Sequence, residues 1–159
     1  MFETKKSLSF QSAASSFLLT LMNISNPDAL IDIQSKVVRL LHRLALHKSG
    51  GDISPSYIYF SHANPWLQMK LYKALQLWSS PQDKGVLNMI EEILSKVLKK
   101  IESSKSINKN NIEYGLLFEV INLIIHLDKN LNPKLMEDVS KILVVFIMSS
   151  QANIRYLGL

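Results

Sequence analysis

Four short punctuation marks constrain this chain most. Asn26-Pro27, Asn64-Pro65, Ser80-Pro81 and Asn132-Pro133 each head a segment with helical apolar spacing. The Asn or Ser side chain can accept a hydrogen bond from a free backbone N–H of a first helical turn. Proline at the first helical position loses nothing by lacking an N–H, and its fixed φ suits the helix. The stretch Asn64–Trp78, NPWLQMKLYKALQLW, shows what such a start leads into. Leu67, Leu71, Ala74, Leu75 and Trp78 fall on one face at steps of three and four. Met69, Tyr72 and Leu77 spread apolar surface beyond that stripe. A helix apolar on more than one side is sandwiched between neighbours.

The remaining segments repeat the pattern. Phe10, Ala13, Ala14, Phe17, Leu18, Leu21 and Met22 predict a helix over 9–23, after a loose segment 1–8. A second helix runs from Pro27 to about His47, with Leu30, Val37, Leu40, Leu41 and Leu44 inward. Ser49-Gly50-Gly51 ends it. The run Tyr57–Phe60 has strand composition, but a lone strand has no partner, so it reads as loop or a short helical turn. Ser80-Pro81, with Asp83 in the first turn, starts a helix to about Ile101. Leu87, Ile90, Leu94, Val97, Leu98 and Ile101 are its buried side, and Glu92 and Lys96 are ordered for an i,i+4 pair. Ser103–Asn110 is a polar loop. A nearly all-apolar helix covers 111–128, and another runs from Asn132 to about Ser149, buried through Leu135, Val139, Ile142, Leu143 and Phe146. A last helix begins at Gln151, with Leu157 and Leu159 unmatched by anything that follows.

The fold class expected is all-α: an α-solenoid of stacked antiparallel helix pairs, a degenerate HEAT or armadillo array with no fixed period. Residues 9–159 form a single solenoid segment, incomplete at both ends.

Composition narrows the function. Five glycines and 47% hydrophobic residues suit helices and a large core. Absence of cysteine excludes disulfides, thiolate chemistry and cysteine-based zinc sites. Lys5 and Lys6 precede a partly apolar run, but Ser12, Ser15, Ser16 and Thr20 break it, so it is not a signal peptide. No stretch is apolar enough to span a bilayer. Glycine-rich phosphate loops, nucleophile elbows and His-Glu-x-x-His are missing, so no enzyme, cofactor or metal is expected. Glu119, Asn122 and His126 make a narrow polar stripe, read as hydrogen-bonded rather than metal-binding. A net charge of +5 without a basic run interleaved by aromatics argues against nucleic acid. Lys36, Arg39, Arg43 and His47 align on one side of the second helix. The first three, Lys36, Arg39 and Arg43, are the candidate surface for an acidic partner; the plain alternative is a solvated face.

Three blocks carry a resemblance. Pro65-Trp66-Leu67 with Lys70-Leu71, Gly115-Leu116-Leu117-Phe118-Glu119-Val120-Ile121 running on into Leu123–His126, and Asn153-Ile154-Arg155-Tyr156-Leu157-Gly158-Leu159 resemble motifs of the adaptin large chains. Pro65-Trp66 favours the alpha type over the gamma type. Gly158 in place of alanine and the Asn- and Lys-rich Ser103–Asn110 loop are departures. The resemblance implies an interior trunk segment of a clathrin adaptor large chain, a non-catalytic scaffold in endocytosis and vesicle-mediated protein transport. It implies beta, mu and sigma partner chains, indirect contact with the clathrin coat, and a cytoplasmic site on the cytosolic face of membranes. Contact with an anionic membrane would run through parts of a full chain not present here. Trp66, Leu67, Arg155 and Tyr156 are motif positions expected to be structural. The alternatives are a large chain of another adaptor complex, such as the gamma type of the trans-Golgi and endosomes, or a helical-repeat scaffold of an unrelated pathway.

Overall fold

The computed structural model describes residues 7–47, 53–100 and 106–159. Its helices are α1 (Leu8–Ile24), α2 (Gln34–Ala45), α3 (Pro65–Leu77), α4 (Lys84–Lys99), α5 (Ile107–Leu127), α6 (Pro133–Ile147) and α7 (Ala152–Leu157). A 3-10 helix at Pro27–Ile33 precedes α2, and a short one at Asp128–Asn130 precedes α6. The expected glycine stop at Ser49-Gly50-Gly51, the packing of Ile101, most of the loose N-terminal segment and the first part of the Ser103–Asn110 loop lie outside the described residues.

α3 packs between α1 and α5, which places these three in one layer. α4 packs between α2 and α6 in a second layer. The layers meet where α3 touches α2 and where α5 touches α4 and α6, and α7 folds back on α6. This is the two-layer α-solenoid that the doubly apolar segments predicted. Leu67, Leu71, Tyr72, Ala74 and Leu75 of α3 and the following Trp78 are all buried. Gly115 of α5 allows the close approach, since a Cβ there would sit 3.0 Å from Met69 Cε.

Three of the four expected caps form. Asn26, Asn64 and Asn132 accept through Oδ1 from the N–H groups of Asp28, Leu67 and Lys134, at 3.1, 3.3 and 3.0 Å. The first starts a 3-10 helix rather than one long helix. Leu30, at φ −112° and ψ 16°, breaks the segment before α2 begins. The cause is tertiary: the Ser79 N–H and Oγ–H donate to Asp28, and Trp78 Nε1–H donates to the Pro27 carbonyl at 2.9 Å. These bonds tie the tight turn to the end of α3.

The fourth start is corrected. Pro81 does not open α4; Asp83, two residues on, is the cap, its Oδ1 accepting from Gly85 N–H at 2.7 Å. A carboxylate is a stronger acceptor than a serine hydroxyl and also meets the positive end of the helix dipole. Glu92 is likewise redirected, lying 2.9 Å from His42 Nε2 on α2 instead of pairing along its own helix. α5 starts at Ile107, four residues before the expected 111, with Ser106 Oγ accepting from Lys109 N–H.

The Tyr57–Phe60 run is the largest departure. Pro55–Tyr57 is a 3-10 turn, and Ile58–Tyr59 (β1) pairs antiparallel with His62–Ala63 (β2). The partner strand is only three residues away, so the missing-partner argument failed. Phe60 and Ser61 make the turn with φ of 47° and 69°, the positive pair that two-residue hairpins use.

Candidate interaction surfaces

The cationic row on α2 is split by its neighbours. Lys36 and Arg39 are exposed, whereas Arg43 is half-buried and donates through Nη2 to Gln11 Oε1 of α1 at 3.5 Å. Gln11 is itself buried on α1. Of the apolar set on α1, Ala14, Leu18 and Met22 are buried, whereas Phe10 and Phe17 are 48% and 57% exposed. Of the three candidate cations, Lys36 and Arg39 face outward, and Arg43 also reaches α1.

Two residues of the α5 polar stripe reach α3 and the residue after it, while Asn122 is exposed. Glu119 Oε1 lies 3.4 Å from Lys73 Nζ, and its Oε2 accepts from Gln76 Nε2 at 3.0 Å. His126 Nε2 lies 2.9 Å from the Trp78 carbonyl, so that nitrogen carries the proton. Both groups are hydrogen-bonded across the layer, and no cluster of three metal-ligating side chains occurs among the described residues. No helix among them is long and apolar enough to cross a membrane.

Sequence reasoning missed a patch at the hairpin. Tyr59, Phe60 and Trp66 are 42–47% exposed and line an open groove of about 400 Å³ with Met69, Asn111 and Ile112. Tyr59 and Trp66 meet edge to face, with ring centroids 4.5 Å apart. The signal was present as the aromatic run followed by Trp66, but the turn that gathers them was not expected. Of the four motif positions, Leu67 is fully buried; Ile154, just before Arg155, also packs inward. Trp66 and Tyr156 are surface residues, and burial does not account for them. Arg155 closes the turn before α7, donating through Nη1 to the carbonyls of Ser149 and Ser150.

Behind the hairpin lies a buried cluster. His62 Nε2 is 3.5 Å from Glu113 Oε1, with the two side chains only 11% and 8% exposed. Lys109 Nζ lies 3.7 Å from the same oxygen. The residues are some 50 positions apart, so no local motif announces them.

With the layers, faces and motif positions placed, the likeness to known proteins becomes specific. The family described as the adaptin N terminal region matches residues 4–159. The chain belongs to the adaptin family. Among relatives of this adaptin, the AP-2 complex subunit alpha-1 of Arabidopsis thaliana is 32% identical over 155 residues. That match covers 98% of this chain and 15% of the relative. The AP-2 complex subunit alpha-2 of Dictyostelium discoideum is 40% identical over 126 residues, 78% of this chain and 12% of the relative. The AP-4 complex subunit epsilon-1 of Mus musculus is 28% identical over 149 residues, 92% of this chain and 12% of the relative. The adaptin chain thus spans 12–15% of the length of these relatives. Its alpha-type resemblance is borne out by the two AP-2 alpha subunits, and family membership sets aside a scaffold of an unrelated pathway.

Proposed function

We propose that this adaptin acts as a trunk segment of a clathrin adaptor large chain of alpha type. In this reading it is a non-catalytic scaffold for endocytosis and vesicle-mediated protein transport. It works on the cytosolic face of membranes, in coated pits. The observation that carries it is the family match along nearly the whole chain. The two-layer stack supports it, because stacked helices offer long faces to partner chains rather than a cleft for chemistry. The partners proposed are adaptor chains of the beta, mu and sigma type, with clathrin reached indirectly. Lys36, Arg39 and Arg43 are kept as a candidate acidic-partner surface, supported by the exposure of the first two.

Co-purification with a co-expressed sigma or mu chain tests the assignment. A complex that survives gel filtration supports it; a chain that elutes alone with every adaptor partner overturns it. Replacing Lys36, Arg39 and Arg43 with Glu tests the surface separately. Loss of binding to an acidic partner or to anionic vesicles supports it, and unchanged binding removes it. The AP-4 epsilon relative favours, as second reading, a large chain of another adaptor complex. Preferential capture of that complex's smaller chains would select it.

A further inference from the structure

Among the described residues, the only non-glycine positive φ values are those of Phe60, Ser61 and Asn64, at 47°, 69° and 41°. All three fall in or beside the hairpin Ile58–Ala63. A Cβ disfavours this region at Phe60 and Ser61, while Asn tolerates it, so contacts outside the turn help to hold it. Lys100 Nζ donates to the Ser61 carbonyl at 3.2 Å, and Gln68 Nε2 donates to the Ala63 carbonyl at 2.7 Å. His62 supplies the attachment to α5, through Glu113. This attachment is the one that titrates near neutral pH.

Its surroundings resist a positive charge. His62 and Glu113 line a small, partly open pocket of about 20 Å³ together with Gln68, Lys96 and Lys100. α3 and α2 contribute the neutral Gln68 and Ala45 to this space, and α4 and the residue after it contribute Lys96 and Lys100. α5 contributes Glu113, already close to Lys109. A proton on His62 would add a further cation around one carboxylate, at a side chain only 11% exposed. Burial, then the charge of Lys100, hold the imidazole below its ordinary range; Lys109 adds to this, and the hydrogen bond and charge of Glu113 oppose it.

We propose that the hairpin is a proton-operated strap: when His62 takes up a proton, the strap lifts from α5 and re-lays the aromatic patch of Tyr59, Phe60 and Trp66. The lifted strap leaves the imidazole in water, with an ordinary pKa of about 6.5. The closed strap binds the proton less tightly, so closure is complete above that pH and weakens as pH falls through it. Relief of the left-handed Phe60 and Ser61 adds to the release. The strap is independent of the adaptor assignment and is tested without any partner.

The 159-residue chain labelled with 5-fluorotryptophan carries two probes, Trp66 beside the strap and the fully buried Trp78. Titration runs from about pH 7.5 to 5.5, bracketing the ordinary imidazole value. The Trp66 resonance is expected to shift with one midpoint below that value, while Trp78 and far-UV helicity stay put. Protection of the Asn64 amide, which donates to the Tyr57 carbonyl across the hairpin, should fall over the same pH range. In His62→Gln both changes should vanish. Should that variant fail to fold, Lys109→Met removes a facing cation and should raise the midpoint. A Trp66 resonance that never titrates, or that titrates in His62→Gln, overturns the strap. So does an unmoved midpoint in Lys109→Met, or loss of helicity at the same midpoint.

Discussion

Tyr72 lies wholly inside the stack, and its hydroxyl is buried with no hydrogen-bond partner among the described residues. Burial pushes the phenol's pKa far above its usual value, so it stays neutral at any pH the fold survives. A buried hydroxyl without a partner has lost its water and gained nothing in return. Tyr72→Phe removes the oxygen and keeps the ring. The melting transition of that variant is expected at or above the parent's, by up to about 2 kcal/mol in stability. A loss of more than about 1 kcal/mol would mean the hydroxyl has a partner. Trp78 is the opposite case. Its ring is also buried, but Nε1–H reaches the Pro27 carbonyl at 2.9 Å. Trp78→Phe strands that carbonyl and leaves a cavity, and should cost about 2–4 kcal/mol by urea denaturation. An unfolding midpoint within experimental scatter of the parent's would refute this role.

At the scale of the element, α3 separates what burial protects from what it leaves free. Leu71 is wholly buried and Trp66 is 47% exposed, although both stand on the same helix. Leu71→Ala should destabilise by about 2–5 kcal/mol, because the stack on both sides prevents collapse into the gap. Trp66→Ala should change stability by less than about 1 kcal/mol. Equal effects of the two in thermal melts would contradict the sandwiched geometry. Gly115 tests the same contact from α5. A side chain there meets Met69 at 3.0 Å, so Gly115→Val should force α3 and α5 apart and lower the melting temperature. A small residue was legible in the sequence at this position, but its purpose was not. Only the partner helix, 46 residues earlier, makes the space scarce.

Over the whole molecule, each end of the stack shows an apolar face. Phe10, Phe17 and Ile24 are exposed along α1, and Val144, Val145, Met148 and Tyr156 along α6 and α7. Each of the last four is more than 60% exposed. In a stack whose units bury one another, faces of this kind associate. The chain alone should therefore be helical by circular dichroism yet self-associate with rising concentration in sedimentation velocity. Val145→Lys with Met148→Lys should shift it toward monomer without loss of helicity. A parent chain that sediments as a monomer at every concentration tested would remove the argument.

How much of this was readable beforehand follows the range of the forces involved. Caps at Asn64 and Asn132, the stacked-helix class and most inward leucines rest on contacts within a few residues, and the chain carries them openly. What α1 buries was only partly legible: nothing in its apolar spacing shows that Gln11 will be buried and reached by Arg43, 32 residues on. The same holds for the broken start of α2, drawn tight by Asp28 on Ser79, and for Glu92 reaching His42. His62 and Glu113, the pair that latches the hairpin, meet only because α3 and α5 pack side by side. The amino-acid sequence by itself determined that rods form and that they must hide one another, since periodicity and capping are local. Tertiary structure alone decided which face each rod turns, which charges are used up inside, and which aromatics stay in water. Those outcomes depend on partners that only folding brings within reach.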